Sequence, residues 1–227
     1  MRKEAIKMYV ELDQLYNSST IRNNFSQEKL FNDLLAVSKA EPLSITIKKD
    51  TLFSKKLDLD KQICFLVEGI TCSYFRGTPS KISASPQFLN LELVLGMESM
   101  DIEAFTTCKV LIFSRLDIME YLFSMQEGVL FLFQYEKEKK DFLIHRVKLL
   151  HQKGYVRLLQ VMQEVGKECG EQVDNECILP KCFTIKRLAA LASLSTHTVS
   201  LIHEKMIQEK QIRKEGGRII LLEMATD

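Results

Sequence analysis

The chain has 227 residues, with 31 lysines and arginines against 30 aspartates and glutamates. This length allows two modest domains with separate cores, and the net charge of +1 gives no indication of a partner. No apolar run approaches the ~18 residues that a membrane span needs, and the mixed charges of the first 14 residues are not those of a secretory signal. We therefore expect a cytoplasmic protein without membrane contact, in which the six cysteines are reduced thiols.

The first half of the chain changes from a helical to an alternating apolar pattern. Helices are predicted at 1–16 and 26–37, with Ser26 as the cap of the second. From Pro42 onward the period is two, and strands are predicted at 43–47, 62–68, 70–75, 87–95 and 105–113. Short strands separated by turn signals are typical of a small sandwich or β-roll.

A long helix follows the predicted strands. Helices are expected at 117–124 and 127–152, and the longer one carries an apolar stripe interrupted by charges at 136–141. The stripe consists of Val129, Leu132, Phe133, Leu143, Val147 and Leu150. A stripe on a helix this long usually packs on a partner helix, so we expect homodimerisation. Burial of the stripe against the chain's own β-domain is the alternative.

The C-terminal quarter has the pattern of a helix-turn-helix. After a helix at 155–165 and a loop at 166–182, two short amphipathic helices meet across Ser193-Leu194-Ser195. Thr184 and Ser195 can cap them, and Ala189 is where they must approach closely. A strand, the Glu215-Gly216-Gly217 turn and a second strand then predict a wing. From Lys181 onward the sequence has eight basic and five acidic residues, and this excess of positive charge suits contact with phosphates.

This order of parts resembles the Crp/Fnr transcription regulators over nearly the whole chain. The resemblance is carried by Phe65-Leu66-Val67-Glu68-Gly69, by Arg157-Leu158, and above all by the segment 184–206. Within that segment, the family's apolar residue, alanine, turn and Ser-x-x-Thr-Val match Leu188, Ala189, Ser193 to Ser195 and Thr198-Val199. The family places groove-facing residues at positions matching Thr196, His197, Ser200 and Leu201.

The resemblance implies an α+β fold of three parts. These are an N-terminal jelly-roll-like β-roll sensor domain (1–120), a long dimerisation helix (121–153) and a C-terminal winged helix-turn-helix (154–227). It also implies a bacterial, homodimeric regulator that binds double-stranded DNA at a palindromic site, with the helix at about 195–206 in the major groove. The expected DNA-binding residues are Thr184, Lys186, Ser195, Thr196, His197, Thr198, Ser200, Leu201, His203, Lys205 and Arg218.

The chain also departs from the family pattern. Members that bind cyclic nucleotides carry an Arg-Ser or Arg-Thr pair for the phosphate, whereas this chain has no arginine between Arg76 and Arg115. The cysteine cluster of the oxygen sensors is absent too, since the first cysteine is Cys64 within a strand. We expect no cofactor and no cyclic nucleotide, and the sequence leaves open an unknown small-molecule effector.

The predicted recognition helix lacks the Glu and Arg that many family members use to contact bases. We therefore expect a weaker or A·T-leaning target, with His197, His203 and Lys205 supplying the longer side chains. Ser193 replaces the usual turn glycine, at a position that tends to need a positive φ.

Nothing in the sequence indicates an enzyme or a metal site. Phosphate-loop, nucleophile-elbow and His-Glu-x-x-His motifs are absent, and the spacing of Cys169, Cys177 and Cys182 fits no common zinc site. A second functional hypothesis is a scaffold that binds a protein or small molecule, in which the helix-turn-helix is only a packing element.

Overall fold

The computed structural model describes residues 17–37, 41–96 and 100–222. The helix predicted at 1–16 lies outside these residues. Within the described ranges, no helix combines the length and the apolar character that crossing a membrane requires.

Two helices open the described chain, α1 (Ser18–Asn24) and α2 (Gln27–Val37). The Ser26 hydroxyl accepts a hydrogen bond from the Lys29 amide, so the predicted cap of α2 is confirmed. Leu30 and Leu34 lie one turn apart on the buried face of α2.

A β-roll follows, built from two antiparallel sheets. Its strands are β1 (Leu43–Ile47), β2 (Gln62–Glu68), β3 (Ile70–Phe75), β4 (Thr78–Ala84), β5 (Gln87–Phe88), β6 (Asp101–Ala104) and β7 (Cys108–Ser114). One sheet has the strand order β1-β7-β2-β5 and the other β4-β3-β6. The predicted fold class is confirmed, and the strands predicted at 43–47, 62–68 and 70–75 have the observed bounds.

The strand predicted at 87–95 is wrong beyond Phe88. Residues Leu91–Leu95 form a 3₁₀ helix instead. The cause is Asn90, whose side-chain oxygen accepts a hydrogen bond from the Cys64 amide, 2.8 Å away, and whose side-chain nitrogen donates to the Gln62 carbonyl at 2.9 Å. The Asn90 side chain thus makes the hydrogen bonds to β2 that the backbone of a longer β5 would make. The chain after Asn90 can therefore turn away from β2.

Strand β2 is buried on both faces, because it lies between two apolar layers. Ile63 and Phe65 belong to the cluster formed with the helices, whereas Cys64 and Leu66 pack between the two sheets. Gly69 then connects β2 to β3 with a φ of +115°. A Cβ atom there would lie 2.9 Å from the Thr107 carbonyl oxygen, so only glycine fits this corner.

Three helices connect the β-roll to the C-terminal unit: α3 (Arg115–Ser124), α4 (Val129–Leu150) and α5 (Gly154–Cys169). They correspond to the helices predicted at 117–124, 127–152 and 155–165. Phe131, Leu132 and Tyr135 of α4 belong to the β-roll's helix-facing core. The prediction of Leu132 as a dimerisation residue is therefore wrong, since only 1% of its surface is exposed.

The C-terminal unit is a winged helix with one more hairpin than predicted. Its elements are β8 (Glu171–Val173), β9 (Glu176–Ile178), α6 (Ile185–Ala192), α7 (Thr196–Gln208), β10 (Ile212–Glu215) and β11 (Arg218–Leu221). The wing strands β10 and β11 are confirmed, and the β8–β9 hairpin occupies part of the predicted loop. Together they form a sheet in the order β10-β11-β9-β8.

The winged helix shares an apolar core with the β-roll of its own chain. Cys72 and Phe105 of the β-roll belong to the same cluster as Phe183 and Leu188. The rings of Phe105 and Phe183 meet edge to face, with centroids 5.8 Å apart. The C-terminal unit is therefore docked on the β-roll in this conformation.

Candidate nucleic-acid interface

Helix α6 is held on its apolar side and capped at its start. The Thr184 hydroxyl accepts from the Arg187 amide at 3.4 Å, as the sequence predicts. Leu188, Ala189, Leu191 and Ala192 are all buried. Ala189 therefore lies at the predicted close approach, where a larger side chain would meet the packed core.

The turn between α6 and α7 is closed by Ser193 in the left-handed conformation, with φ 51° and ψ 48°. Its amide points back to the carbonyls of Ala189 and Ala190. The expected positive φ is thus observed in a residue other than glycine. This tight turn brings α7 directly after α6.

Helix α7 presents its N-terminal half to solvent. The Ser195 hydroxyl accepts from the Thr198 amide at 3.0 Å and caps the helix. Thr196 and His197 are exposed, Ser200 is half-buried, and Leu201 is 54% exposed although it is apolar. Val199 and Met206, on the opposite side, are buried. The exposed residues therefore form one face that a DNA groove could accept.

Two of the predicted DNA-binding residues are placed differently. His203 is only 7% exposed, so the expectation that it supplies a longer side chain for DNA contact is wrong, because this side chain is buried. Thr198 is half-buried, and its hydroxyl lies 2.8 Å from that of Ser195. Thr198 thus contributes to the cap of the helix more than to its exposed face.

Sequence reasoning missed Glu204, which is exposed on α7. It lies seven residues after His197 and three after Leu201, so the helical period places all three on one face. The spacing of Glu204 from His197 and Leu201 was the signal in the sequence that could have identified it as a groove-facing residue. A carboxylate in a major groove accepts a hydrogen bond from the cytosine amino group.

The wing turns through Gly216 and Gly217, which have φ values of +55° and +77°. Such values are those of a two-residue hairpin turn. Ile212 pairs with Leu221 at the base of the hairpin, and Glu215 pairs with Arg218 next to the turn. The wing tip is consequently exposed, and its polar residues point away from the buried strand positions.

Most of the arginines of this unit are already engaged by carboxylates. Arg213 makes a bidentate pair with Glu176 at 2.7 and 2.8 Å, and Arg218 lies 3.5 Å from Glu171. Lys205 lies 3.7 Å from Glu209. Within the described residues from 181 to 222, the lysines without an ion pair are Lys181, Lys186, Lys210 and Lys214. These four carry the freely available positive charge.

Exposed apolar residues on α4 repeat every three or four positions. Five of the six predicted dimerisation residues are exposed, Val147 by 56% and Phe133 by 54%. With Glu136 and Lys140 they occupy successive core positions of a heptad pattern: Val129, Phe133, Glu136, Lys140, Leu143, Val147 and Leu150. Leu132, which is buried in the helix-facing core of the β-roll, lies outside this seam.

The space between the β-roll and α4 is nearly filled by the chain's own side chains. The remaining cavity has about 20 Å³ and is lined by Phe88, Glu92, Tyr135 and Lys139, among others. The Tyr135 hydroxyl donates to Glu92 Oε2 at 2.8 Å, and Lys139 Nζ lies 3.3 Å from Glu92 Oε1. Burial and the adjacent Glu92 raise the pKa of Tyr135 well above its usual value. The phenol therefore stays protonated and keeps its hydrogen bond.

All six cysteines are free thiols. Burial raises the pKa of Cys64, Cys72 and Cys169 to about 12, so these thiols carry almost no thiolate at neutral pH. Within the described residues, no three His, Cys, Asp or Glu side chains converge as a metal site would require.

No family model matches the chain, and no curated protein matches it in sequence. Solved structures do match. FixK2 from Bradyrhizobium japonicum has a TM-score of 0.67 at 14% identity and covers 83% of this chain and 100% of its own. TTHA1359 from Thermus thermophilus, a transcriptional regulator of the CRP/FNR family, has a TM-score of 0.60 at 17% identity, covering 80% of this chain and 94% of its own. A cyclic nucleotide-binding domain containing protein from Listeria monocytogenes has a TM-score of 0.66 at 15% identity. The match covers 86% of this chain and 97% of the Listeria protein.

Proposed function

Since the chain has the fold of the Crp/Fnr transcription regulators, we propose that it is a homodimeric, sequence-specific DNA-binding regulator that acts in the cytoplasm without a cyclic nucleotide. The observation that carries this proposal is the exposed face of α7. His197, Leu201 and Glu204 project from a capped helix whose other side is fixed in the core. This is the arrangement by which a recognition helix enters a major groove.

Base readout on this helix would use short and apolar side chains. Leu201 fits a thymine methyl, the Thr196 and Ser200 hydroxyls can donate or accept, and Glu204 can accept from cytosine. Bidentate recognition of guanine would need an Arg or Lys on this face. Lys205 is the one lysine or arginine of α7, and it is paired with Glu209. The proposed site is accordingly A·T-leaning, with cytosine selected opposite Glu204.

Phosphate contacts would come from the free lysines and the helix starts. Lys186 lies in the first turn of α6, and Thr184 and Ser195 cap α6 and α7, where backbone amides favour an anion. Lys214 lies on the wing. Arg218 could exchange its exposed partner Glu171 for a phosphate, since an exposed ion pair contributes at most about 1 kcal/mol. Most of the binding energy would then be salt-dependent.

Dimerisation through α4 is proposed from its exposed heptad seam. Exposed apolar residues such as Phe133 and Val147 are costly in a monomer and become buried in a two-helix coiled coil. Glu136 and Lys140 interrupt the seam and would fix its register at some cost in stability. Two recognition helices related by two-fold symmetry would read a palindrome.

Independence from cyclic nucleotides is supported by Glu92. This carboxylate is buried where the space between the β-roll and the long helix is otherwise filled, and its charge would repel a cyclic phosphate. Lys139 is already bound to it. Lys139 is therefore not free to pair with a phosphate that enters this space.

The alternative is a scaffold in which the winged helix serves only as a packing element. The shared core of Phe105, Phe183 and Leu188 favours it, since docking of this kind needs no DNA. The exposure of Leu201 argues against it, because a packing helix would bury that side chain.

Selection of duplexes from a random pool by the whole chain separates the two functions. A regulator enriches a palindrome with half-sites about one helical turn apart. The double variant His197→Ala with Leu201→Ala should lose this enrichment, whereas Lys109→Ala on β7 should retain it. Failure of the wild-type chain to enrich any sequence, or equal enrichment by the double variant, would contradict the proposal.

A further inference from the structure

Two side chains of opposite character are neighbours in the middle of the exposed face of α7. Leu201 and Glu204 lie three positions apart, which places their Cβ atoms about 5–6 Å from each other on the helix surface. Leu201 is 54% exposed although it is apolar, and Glu204 is exposed as well. An apolar and an acidic group, hereafter the Leu201–Glu204 pair, are thus presented side by side to whatever this face contacts.

The packing of α7 fixes the position of this pair. Val199, His203 and Met206 are buried on the other side of the helix. A rotation of α7 that turned Leu201 inward would expose the apolar side chains of Val199 and Met206 to water, which is unfavourable. The Leu201–Glu204 pair therefore stays on the surface of the unit.

The Glu204 carboxylate has no cation beside it to neutralise its charge. The described residues include no hydrogen-bond or ion-pair partner for this side chain, and Lys205, the next residue, lies 3.7 Å from Glu209 instead. A carboxylate placed among the phosphates of a duplex is repelled and loses water, unless a base donates a hydrogen bond to it. Glu204 therefore requires a hydrogen-bond donor on the base that it faces.

Cytosine is the base that meets this requirement best. In the major groove guanine presents two acceptors, and adenine and thymine each present an acceptor, whereas cytosine presents its amino donor alone. A base acceptor beside the Glu204 carboxylate would repel it. Unmodified cytosine carries only a hydrogen atom on the ring carbon next to its amino group, so it offers Leu201 no apolar group.

We propose that the Leu201–Glu204 pair recognises 5-methylcytosine, with Glu204 accepting from the amino group and Leu201 packing on the methyl group of the same base. These two groups lie on adjacent ring atoms of the base, as the two side chains are adjacent on the helix. Thymine carries the same methyl group, but it has an acceptor where 5-methylcytosine has its amino group. This assignment rests on the proposed function and states which chemical form of cytosine the same face selects.

A thymine next to an unmodified cytosine is the other source of a methyl group beside an amino donor. The methyl groups of the two sources can be removed separately, by cytosine in place of 5-methylcytosine and by deoxyuridine in place of thymine. Burial of one methyl group corresponds to about a fourfold gain in affinity. On a palindrome bound by a dimer, one methyl group in each half-site gives about sixteenfold.

Fluorescence anisotropy with the full chain, at one fixed salt concentration, tests this assignment. Duplexes are first selected from two random pools, one containing cytosine and one containing 5-methylcytosine throughout, so that a site that depends on the methyl group is recovered. Each cytosine of the selected half-site is then compared in its methylated and unmethylated forms. Methylation at one of these positions should tighten binding about fourfold, and methylation of its equivalents in both half-sites about sixteenfold.

Variants of the pair separate the two contacts. Leu201→Ala should lose the gain from the methyl group but keep the preference for cytosine over the other bases. Glu204→Gln should shift that preference toward adenine, because glutamine pairs with both of adenine's major-groove groups. Ile207→Ala is the matched control: Ile207 is 40% exposed in the last turn of α7, beyond the pair, and its replacement should change neither preference.

Three results would count against 5-methylcytosine. The absence of any cytosine at which methylation tightens binding, or a gain that persists in Leu201→Ala, would overturn the assignment and leave the proposed function standing. Loss of affinity when a neighbouring thymine is replaced by deoxyuridine, without a gain from cytosine methylation, would overturn it too and place Leu201 on that thymine. A chain that selects no duplex from either pool would refute the proposed function, and this assignment with it.

Discussion

Arg187 Nη2 lies 2.9 Å from Glu103 Oε1, and this ion pair joins the first helix of the helix-turn-helix to strand β6 of the β-roll. The same guanidinium lies 2.6 Å from Asp50 and stacks 3.7 Å above the ring of Phe105. Only 16% of the Arg187 side chain is exposed. One arginine thus carries much of the polar contact that docks the winged helix on the β-roll.

Replacing Arg187 should weaken this docking. Arg187→Met keeps the aliphatic stem but leaves Glu103 with Tyr74 as its remaining hydrogen-bond donor, at 2.7 Å. We expect a loss of roughly 1.5–3 kcal/mol in the free energy of unfolding, the range for hydrogen bonds to charged groups. Urea denaturation measures it, with Lys186→Met, an exposed neighbour, as the control. Equal stability of the two variants would contradict this role.

Acid should destabilise the winged helix through His203. Burial, followed by the nearby Lys214, lowers the pKa of His203 below 6.5, and its Nε2 atom is buried without a partner. The unfolded chain then binds a proton more readily than the folded one. The stability present above pH 6.5 should be lost as the pH falls from 6.5 through the folded-state pKa.

Melting temperatures between about pH 7.5 and about pH 5.5 test this, because an unperturbed histidine titrates in that window. His203→Gln should show a shallower loss of stability on acidification than the wild-type chain. His197→Gln, on the exposed face of the same helix, should keep the wild-type dependence. Parallel curves for all three proteins would contradict the prediction.

The stability of the packing beside Glu92 should depend on the Tyr135 hydroxyl. Tyr135→Phe removes the donor of the 2.8 Å bond and leaves a buried carboxylate with one partner fewer. We expect a loss of about 1–3 kcal/mol in the free energy of unfolding, as for other unsatisfied buried groups. Tyr155→Phe is the control, since the Tyr155 hydroxyl makes exposed contacts that water can replace. An equal or smaller loss for Tyr135→Phe would argue that Glu92 is not held in this way.

A charge in the seam of α4 should prevent dimerisation. Val147→Glu places like charges opposite each other at a core position of the heptad pattern. We expect a monomer in sedimentation velocity at micromolar concentrations, where Lys148→Glu, one position away, stays dimeric. If Val147→Glu is as dimeric as the wild type, the seam lies elsewhere.

The sequence predicted the winged helix more fully than the β-roll. Thr184, Ser195 and the Gly216-Gly217 turn act through neighbours in the chain, so their patterns are readable locally. The end of β5 depends on Asn90, whose partners Cys64 and Gln62 are distant in sequence. No local pattern indicates such a bond.

The missed hairpin and the misplaced site residues have the same origin. The three-residue strands β8 and β9 are too short to show a period and exist because β9 pairs with β11. Leu132 and His203 each lie on helices that have both a buried and an exposed face. The apolar period of the sequence shows that such a helix has two faces. Whether a residue such as Leu132 or His203 is buried is decided by the elements that pack against the helix.

The salt dependence of DNA affinity tests the central claim, that the exposed face of α7 and the wing bind a duplex as a dimer. The logarithm of the association constant should fall linearly with the logarithm of salt concentration. In Lys214→Ala the slope should shrink by about two units, one phosphate contact for each protomer, at an unchanged preferred sequence. An affinity that does not respond to salt, or a slope that is the same in the Lys214→Ala variant, would contradict this account.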